Sequence, residues 1–101
     1  MNQEVIEIIL KSTNPDIDLL VFQIDDKEMS VNLNASDCQA SLKLIFSELL
    51  NKLINVDIEL KLIVDEGYNR QMYIEVCKEY IKDLNRELNE CKMELRKLTR
   101  R

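Results

Sequence analysis

The sequence predicts an α+β domain in the order β-β-β-α-β-α: a four-stranded, mainly antiparallel sheet with helices on one face and a long C-terminal coiled-coil helix. Three observations carry this. Short β-branched runs separated by turn residues fill the first third of the chain, as strands require. A capping signal then opens an amphipathic helical stretch, and one more alternating strand follows it. Finally, Ile74, Cys77, Ile81, Leu84, Leu88, Cys91, Leu95 and Leu98 follow one another at spacings of 3, 4, 3, 4, 3, 4 and 3. That is the signature of a helix packed along a seam.

Residues 4–11 are short and β-branched and read as a strand. Thr13-Asn14-Pro15-Asp16 then turns the chain, with Pro15 presetting φ. Residues 17–24 are apolar on both sides, Ile17, Leu19 and Val21 against Leu20, Phe22 and Ile24, which places this strand inside the sheet. After a hairpin turn at Asp25-Asp26-Lys27, Met29, Val31 and Leu33 alternate with Ser30, Asn32 and Asn34, a strand with one wet face. Ser36 and Gln39 have capping-box spacing and open a helix reaching about residue 54. Its core stripe is Leu42, Ile45, Phe46, Leu49, Leu50 and Leu53. In residues 57–64, Ile58, Leu60, Leu62 and Val64 alternate with Asp57, Glu59 and Lys61. Asp65-Glu66-Gly67-Tyr68 leaves that strand through the chain's one glycine, where a positive φ is expected. Asn69 is the expected N-cap of the last helix, which runs from about 70 to about 98.

The domain division is therefore a compact body, residues 1–68, and a C-terminal helix, residues 69–101, of which the first half packs on the body and the second serves self-association. At a rise of about 1.5 Å per residue the helix spans roughly 43 Å. A compact body of that size, with a radius of gyration near 11 Å, is roughly 30 Å across and leaves the last turns overhanging. Beyond Leu84 the apolar stripe also narrows to the seam alone, which suits a coiled coil better than a globular core. The expected oligomer interface is Ile81, Leu84, Leu88, Cys91, Leu95 and Leu98. With Ile74, Ile81, Leu88 and Leu95 at the a positions, a parallel pair would set Glu87 against Lys92 of its partner.

Charge is uneven. Residues 1–67 hold 5 basic and 13 acidic side chains, net −8, and residues 68–101 hold 9 and 6, net +3, within an overall −5. The basic tail, Lys92, Arg96, Lys97, Arg100 and Arg101, complements the helix macrodipole and is a candidate electrostatic contact. It has no aromatic residue for stacking bases, and the chain as a whole is acidic, so nucleic acid is not the expected partner.

No reaction is legible. Histidine is absent, which removes the commonest general base and metal ligand. Gly67 stands alone, so there is no phosphate-cradling loop. Cys38, Cys77 and Cys91 lack zinc-site spacing, and the last two fall on the seam, where a thiol acts as a small hydrophobe. The carboxylates at Asp16/Asp18, Asp25/Asp26/Glu28 and Asp65/Glu66 sit at turns and strand ends and are expected to be solvated. No catalytic, cofactor-binding or metal-binding residue is assigned, and no cofactor. The N-terminus has no basic segment ahead of an apolar one, and no apolar run is long enough to span a bilayer, so a cytoplasmic address with reduced thiols is expected. The expected function is a small, non-catalytic, self-associating protein-binding module, an accessory subunit of a larger bacterial assembly, whose partners are itself and another protein, with no membrane contact. The alternative is an acidic, phage-type inhibitor that blocks a bacterial defence or nucleic-acid-handling enzyme, its carboxylates standing where phosphates would.

Overall fold

The computed structural model describes residues 3–14 and 17–99, and every structural statement concerns those residues. The elements follow the predicted order: β1 (Gln3–Asn14), β2 (Ile17–Ile24), β3 (Lys27–Asn32), α1 (Cys38–Leu53), β4 (Asp57–Val64) and α2 (Gln71–Thr99). Pro15 and Asp16, in the first predicted turn, lie outside the described residues, as do Arg100 and Arg101.

The strands form one sheet in the order β3-β2-β1-β4. β1 pairs antiparallel with β2, and β2 with β3, whereas β4 lies parallel to β1 (Ile6 beside Leu60, Ile8 beside Leu62). The parallel pairing follows from the connection. β3 and β4 occupy opposite edges, and α1 carries the chain over the sheet between them, as parallel crossovers require.

Alternation decides which face is covered. Ile6, Ile8 and Leu10 of β1, Leu20, Phe22 and Ile24 of β2, Val31 of β3 and Leu60 of β4 form one buried cluster with Ile45, Leu49 and Leu53 of α1 and Ile74, Cys77, Ile81 and Leu88 of α2. The opposite face carries exposed Glu7, Gln23, Ser30, Glu59 and Lys61, with Val21 buried among them.

Two turns show how local chemistry sets the path. Asp25, in the β2–β3 hairpin, takes φ 54°, a left-handed conformation that Asp tolerates better than most residues. Gly67 takes φ 87° in a turn closed by Tyr68 N–H donating to the Asp65 carbonyl at 3.0 Å, so the positive φ read from the sequence is present. The predicted capping box is corrected. α1 begins at Cys38 with Asp37 at the N-cap and no side-chain capping bond. Cys38 N–H instead donates to the Ala35 carbonyl, which places Ser36 inside a turn and not at the cap. α2 likewise starts one residue late, at Gln71, and the Arg70 carbonyl accepts from Ile74 N–H, so Arg70 and not Asn69 holds the N-cap position.

Lys52, near the end of α1, ties the layers together by pairing with Glu4 of β1 at 2.9 Å and with Asp25 of the hairpin. Those carboxylates, Asp25 first, raise its pKa.

Candidate association surface

α2 runs antiparallel to β4 and seals its outer edge. Asn85 acts as a one-residue strand: Leu60 N–H donates to its Oδ1 at 2.9 Å, and its Nδ2 donates to the Leu60 carbonyl at 3.0 Å. One edge donor and one edge acceptor are thus satisfied by a side-chain amide, which protects an edge otherwise open to strand addition. Farther along, Lys92 reaches Asp57, the first residue of β4, at 3.0 Å, and Arg96 reaches the same carboxylate at 3.7 Å. From Asn85 to Lys92 the helix advances about 10 Å, and from Leu60 back to Asp57 the strand also covers about 10 Å. Helix and strand therefore stay in step, and α2 leaves the end of the sheet near Lys92.

The overhang is consequently about two turns, close to the roughly 13 Å by which the helix outruns a compact body. The molecule measures 53 × 26 × 25 Å, and β1 alone, at 12 residues, extends roughly 40 Å. The body is long in the direction of the helix. Leu88 is only 1% exposed and belongs to the chain's own core, as does Ile81. Leu84, Cys91 and Leu95 are partly buried against that core, and Leu98 stands 68% exposed. Of the basic tail, Lys92 and Arg96 are engaged by Asp57, and Lys97 is exposed.

Beyond the end of the sheet, α1 and α2 leave an apolar groove of about 560 Å³ between them. Leu50 and Ile54 line it from α1, and Cys91, Leu95 and Leu98 from α2, with Glu90, Glu94 and Asn51 at its rim. Ile54 follows Leu50 by four residues, so both project from one side of α1; at the C-cap, past the last helical turn, Ile54 is 68% exposed. Leu50 and Ile54 are the residues that the seam alone does not reveal. Their signal is that the apolar stripe of α1 continues one step past the helix end.

At the opposite end a second cluster fastens α2 to the sheet. Asp18 of β2 is fully buried; Tyr68 Oη donates to its Oδ1 at 2.8 Å and Arg70 Nη1 to its Oδ2 at 2.7 Å. The Asp18 backbone is used as well, its N–H donating to Asn34 Oδ1 at 2.9 Å and its carbonyl accepting from Leu33 N–H at 2.9 Å. The expectation that Asp18 is a solvated turn carboxylate is thus corrected, because the β4–α2 connection folds back over it. Burial, then the Asp18 hydrogen bond, raises the Tyr68 pKa. Cys77 lies beneath the cluster with its thiol pushed up to about 11, first by burial and then by Cys38 and Asp18. Burial, with Asp37 second, also raises Cys38. Such thiols stay protonated and are poor nucleophiles.

No group of three or more Cys, Asp or Glu among the described residues is placed to hold a metal ion, and no helix among them is long and apolar enough to cross a membrane. Compared with protein-family models, curated proteins and solved structures, the chain finds no match in any of the three.

Proposed function

We propose that the protein is a small, non-catalytic, self-associating protein-binding module that serves as an accessory subunit of a larger bacterial assembly, with the α1–α2 groove and the tip of α2 as its association surface. One observation carries the reading: Ile54 and Leu98, two large aliphatic side chains, stand open to water on either side of a groove floored by Leu50, Cys91 and Leu95. Exposed apolar patches of this kind mark interaction sites. A second copy supplies both the knob and the groove, which is the economy of an isologous dimer. The seam read from the sequence enters this surface through Cys91, Leu95 and Leu98, while Ile81, Leu84 and Leu88 serve the chain's own packing.

The acidic-inhibitor alternative draws less support. Four carboxylates of the acidic body, Glu4, Asp18, Asp25 and Asp57, already answer to Lys52, Arg70, Lys92 or Arg96 within the chain, so its outward negative charge is smaller than the sequence count.

Leu98→Glu tests the proposal. The side chain is exposed, so the substitution leaves the fold's stability within about 0.5 kcal/mol, yet it sets a charge in the contact. Analytical ultracentrifugation should show a concentration-dependent dimer for the wild type and a monomer for the variant at the same concentration. A wild type that sediments as a monomer at high micromolar concentration rejects the self-association.

A further inference from the structure

We infer that the second copy docks antiparallel, the tip of each α2 lying in the groove between its partner's α1 and α2. The inference rests on the self-association proposed above and supplies its geometry.

A parallel seam has lost its supports. Leu88 is enclosed by its own sheet and α1, so it cannot meet a partner's Leu88. Lys92, which would answer Glu87 across a parallel pair, is held by Asp57 of its own chain at 3.0 Å. What α2 offers outside the body is its last two turns, an apolar tip too short for a heptad seam but matched to a groove.

Charge then chooses the direction. Glu90 and Glu94 line the groove, and Lys97, exposed like them, continues their stripe along α2 at i, i+4 and i+7. In a parallel, in-register pair, with Leu88 and Leu95 at a positions, Glu94 falls at g and faces the partner's position 99, while Glu90 and Lys97 fall at c, off the seam, so the three charges find no complement. An antiparallel pair behaves differently. When Leu98 enters opposite the partner's Cys91, Lys97 falls level with position 92 of the partner's helix, midway between the partner's Glu90 and Glu94. The two-fold axis repeats the contact, and Leu98 of each protomer is seated among its partner's Leu50, Ile54, Cys91 and Leu95. Apolar burial supplies the attraction, and the Lys97 stripe fixes register and direction.

A charge swap between two variants tests this. Lys97→Glu alone sets a carboxylate against Glu90 and Glu94 at both contacts, and Glu90→Lys/Glu94→Lys alone sets lysine against lysine. Mixed one to one, the two variants form a heterodimer in which both contacts are complementary. All three sites are exposed, so each variant keeps the fold, which far-UV circular dichroism verifies. Sedimentation in low salt should show each variant alone dissociating with a Kd raised at least about tenfold, and the mixture dimerising as tightly as the wild type. Variants that dimerise like the wild type, or a mixture no tighter than its components, overturn the antiparallel geometry and leave self-association standing. A monomeric wild type overturns both.

Discussion

The clamp at Asp18 should account for a large share of the fold's stability. Its carboxylate is 0% exposed and accepts from Tyr68 Oη at 2.8 Å and from the Arg70 guanidinium at 2.7 Å. Hydrogen bonds to a charged group contribute about 1.5–3 kcal/mol each. Arg70 is 40% exposed, so in Asp18→Ala its charge turns to water and is not stranded, which keeps the loss at the lower end of the range for a broken buried pair, about 3 kcal/mol. For a domain of this size 1 kcal/mol is worth about 4–8 °C, so the melting temperature should fall by roughly 12–24 °C. The assay is urea unfolding of Asp18→Ala, Tyr68→Phe and the double variant. Tyr68→Phe in the wild-type background leaves one Asp18 oxygen without its donor and should cost about 1–2 kcal/mol. In the Asp18→Ala background that cost should vanish, since the hydroxyl has already lost its partner. An Asp18→Ala loss below about 1 kcal/mol, or two losses that simply add, would refute the clamp.

Three further predictions follow from the packing. Leu88→Ala should destabilise the isolated chain by about 2–5 kcal/mol, measured under dilute conditions where the protein is monomeric; a neutral effect there would return Leu88 to an intermolecular seam. Asn85→Ala should cost about 1–3 kcal/mol by leaving the Leu60 N–H and carbonyl at an unguarded edge, and should raise the aggregation rate seen by light scattering, whereas a variant as stable and as well dispersed as the wild type would show that the edge needs no cover. Cys77 is an acid whose folded pKa, about 11, stands above its unfolded value of 9.0. The stability it contributes is therefore complete below pH 9 and declines as pH rises toward 11. Cys77→Val should flatten that alkaline limb of the stability–pH curve, and an unchanged limb would mean that the thiol already ionises normally in the fold.

Legibility followed the range of the interactions. The strands were readable because each displays its environment in its own alternation: Ile58, Leu60, Leu62 and Val64 mark the covered face of β4 without reference to anything distant. Gly67 was readable for the same reason, since its positive φ is a local need. Asp18 was not. Nothing in its neighbourhood distinguishes it from Asp16, and the groups that bury it, Tyr68 and Arg70, arrive 50 and 52 residues later. Ser36 misled through a competition among local signals. Ser36 and Asp37 both suit an N-cap, and the turn from Ala35 to Cys38 decided against the serine. β1 makes the body long in one direction, so α2 stays on it as far as Lys92, well past Leu84 where its apolar stripe narrows.

The same elongation explains why the heptad repeat is continuous although its two ends have different surroundings. A helix that lies along a sheet edge and a helix that pairs with another helix both need an apolar residue every three or four positions. Spacing alone cannot say whether the covering surface belongs to the same chain. What separates the two is the company the seam keeps. From Tyr73 to Leu88 two side chains beside the seam are tied inward: Tyr73 Oη accepts from Asn34 Nδ2 at 3.4 Å, and Asn85 is bonded to β4. After Lys92 and Arg96 have met Asp57 there is no more sheet to meet, yet Leu95 and Leu98 continue the pattern toward a groove that the chain itself leaves open. A repeat that outlasts its own support by two turns is the physical reason to look for a second molecule there. Its short length is the reason to expect a knob in a groove and not a coiled coil.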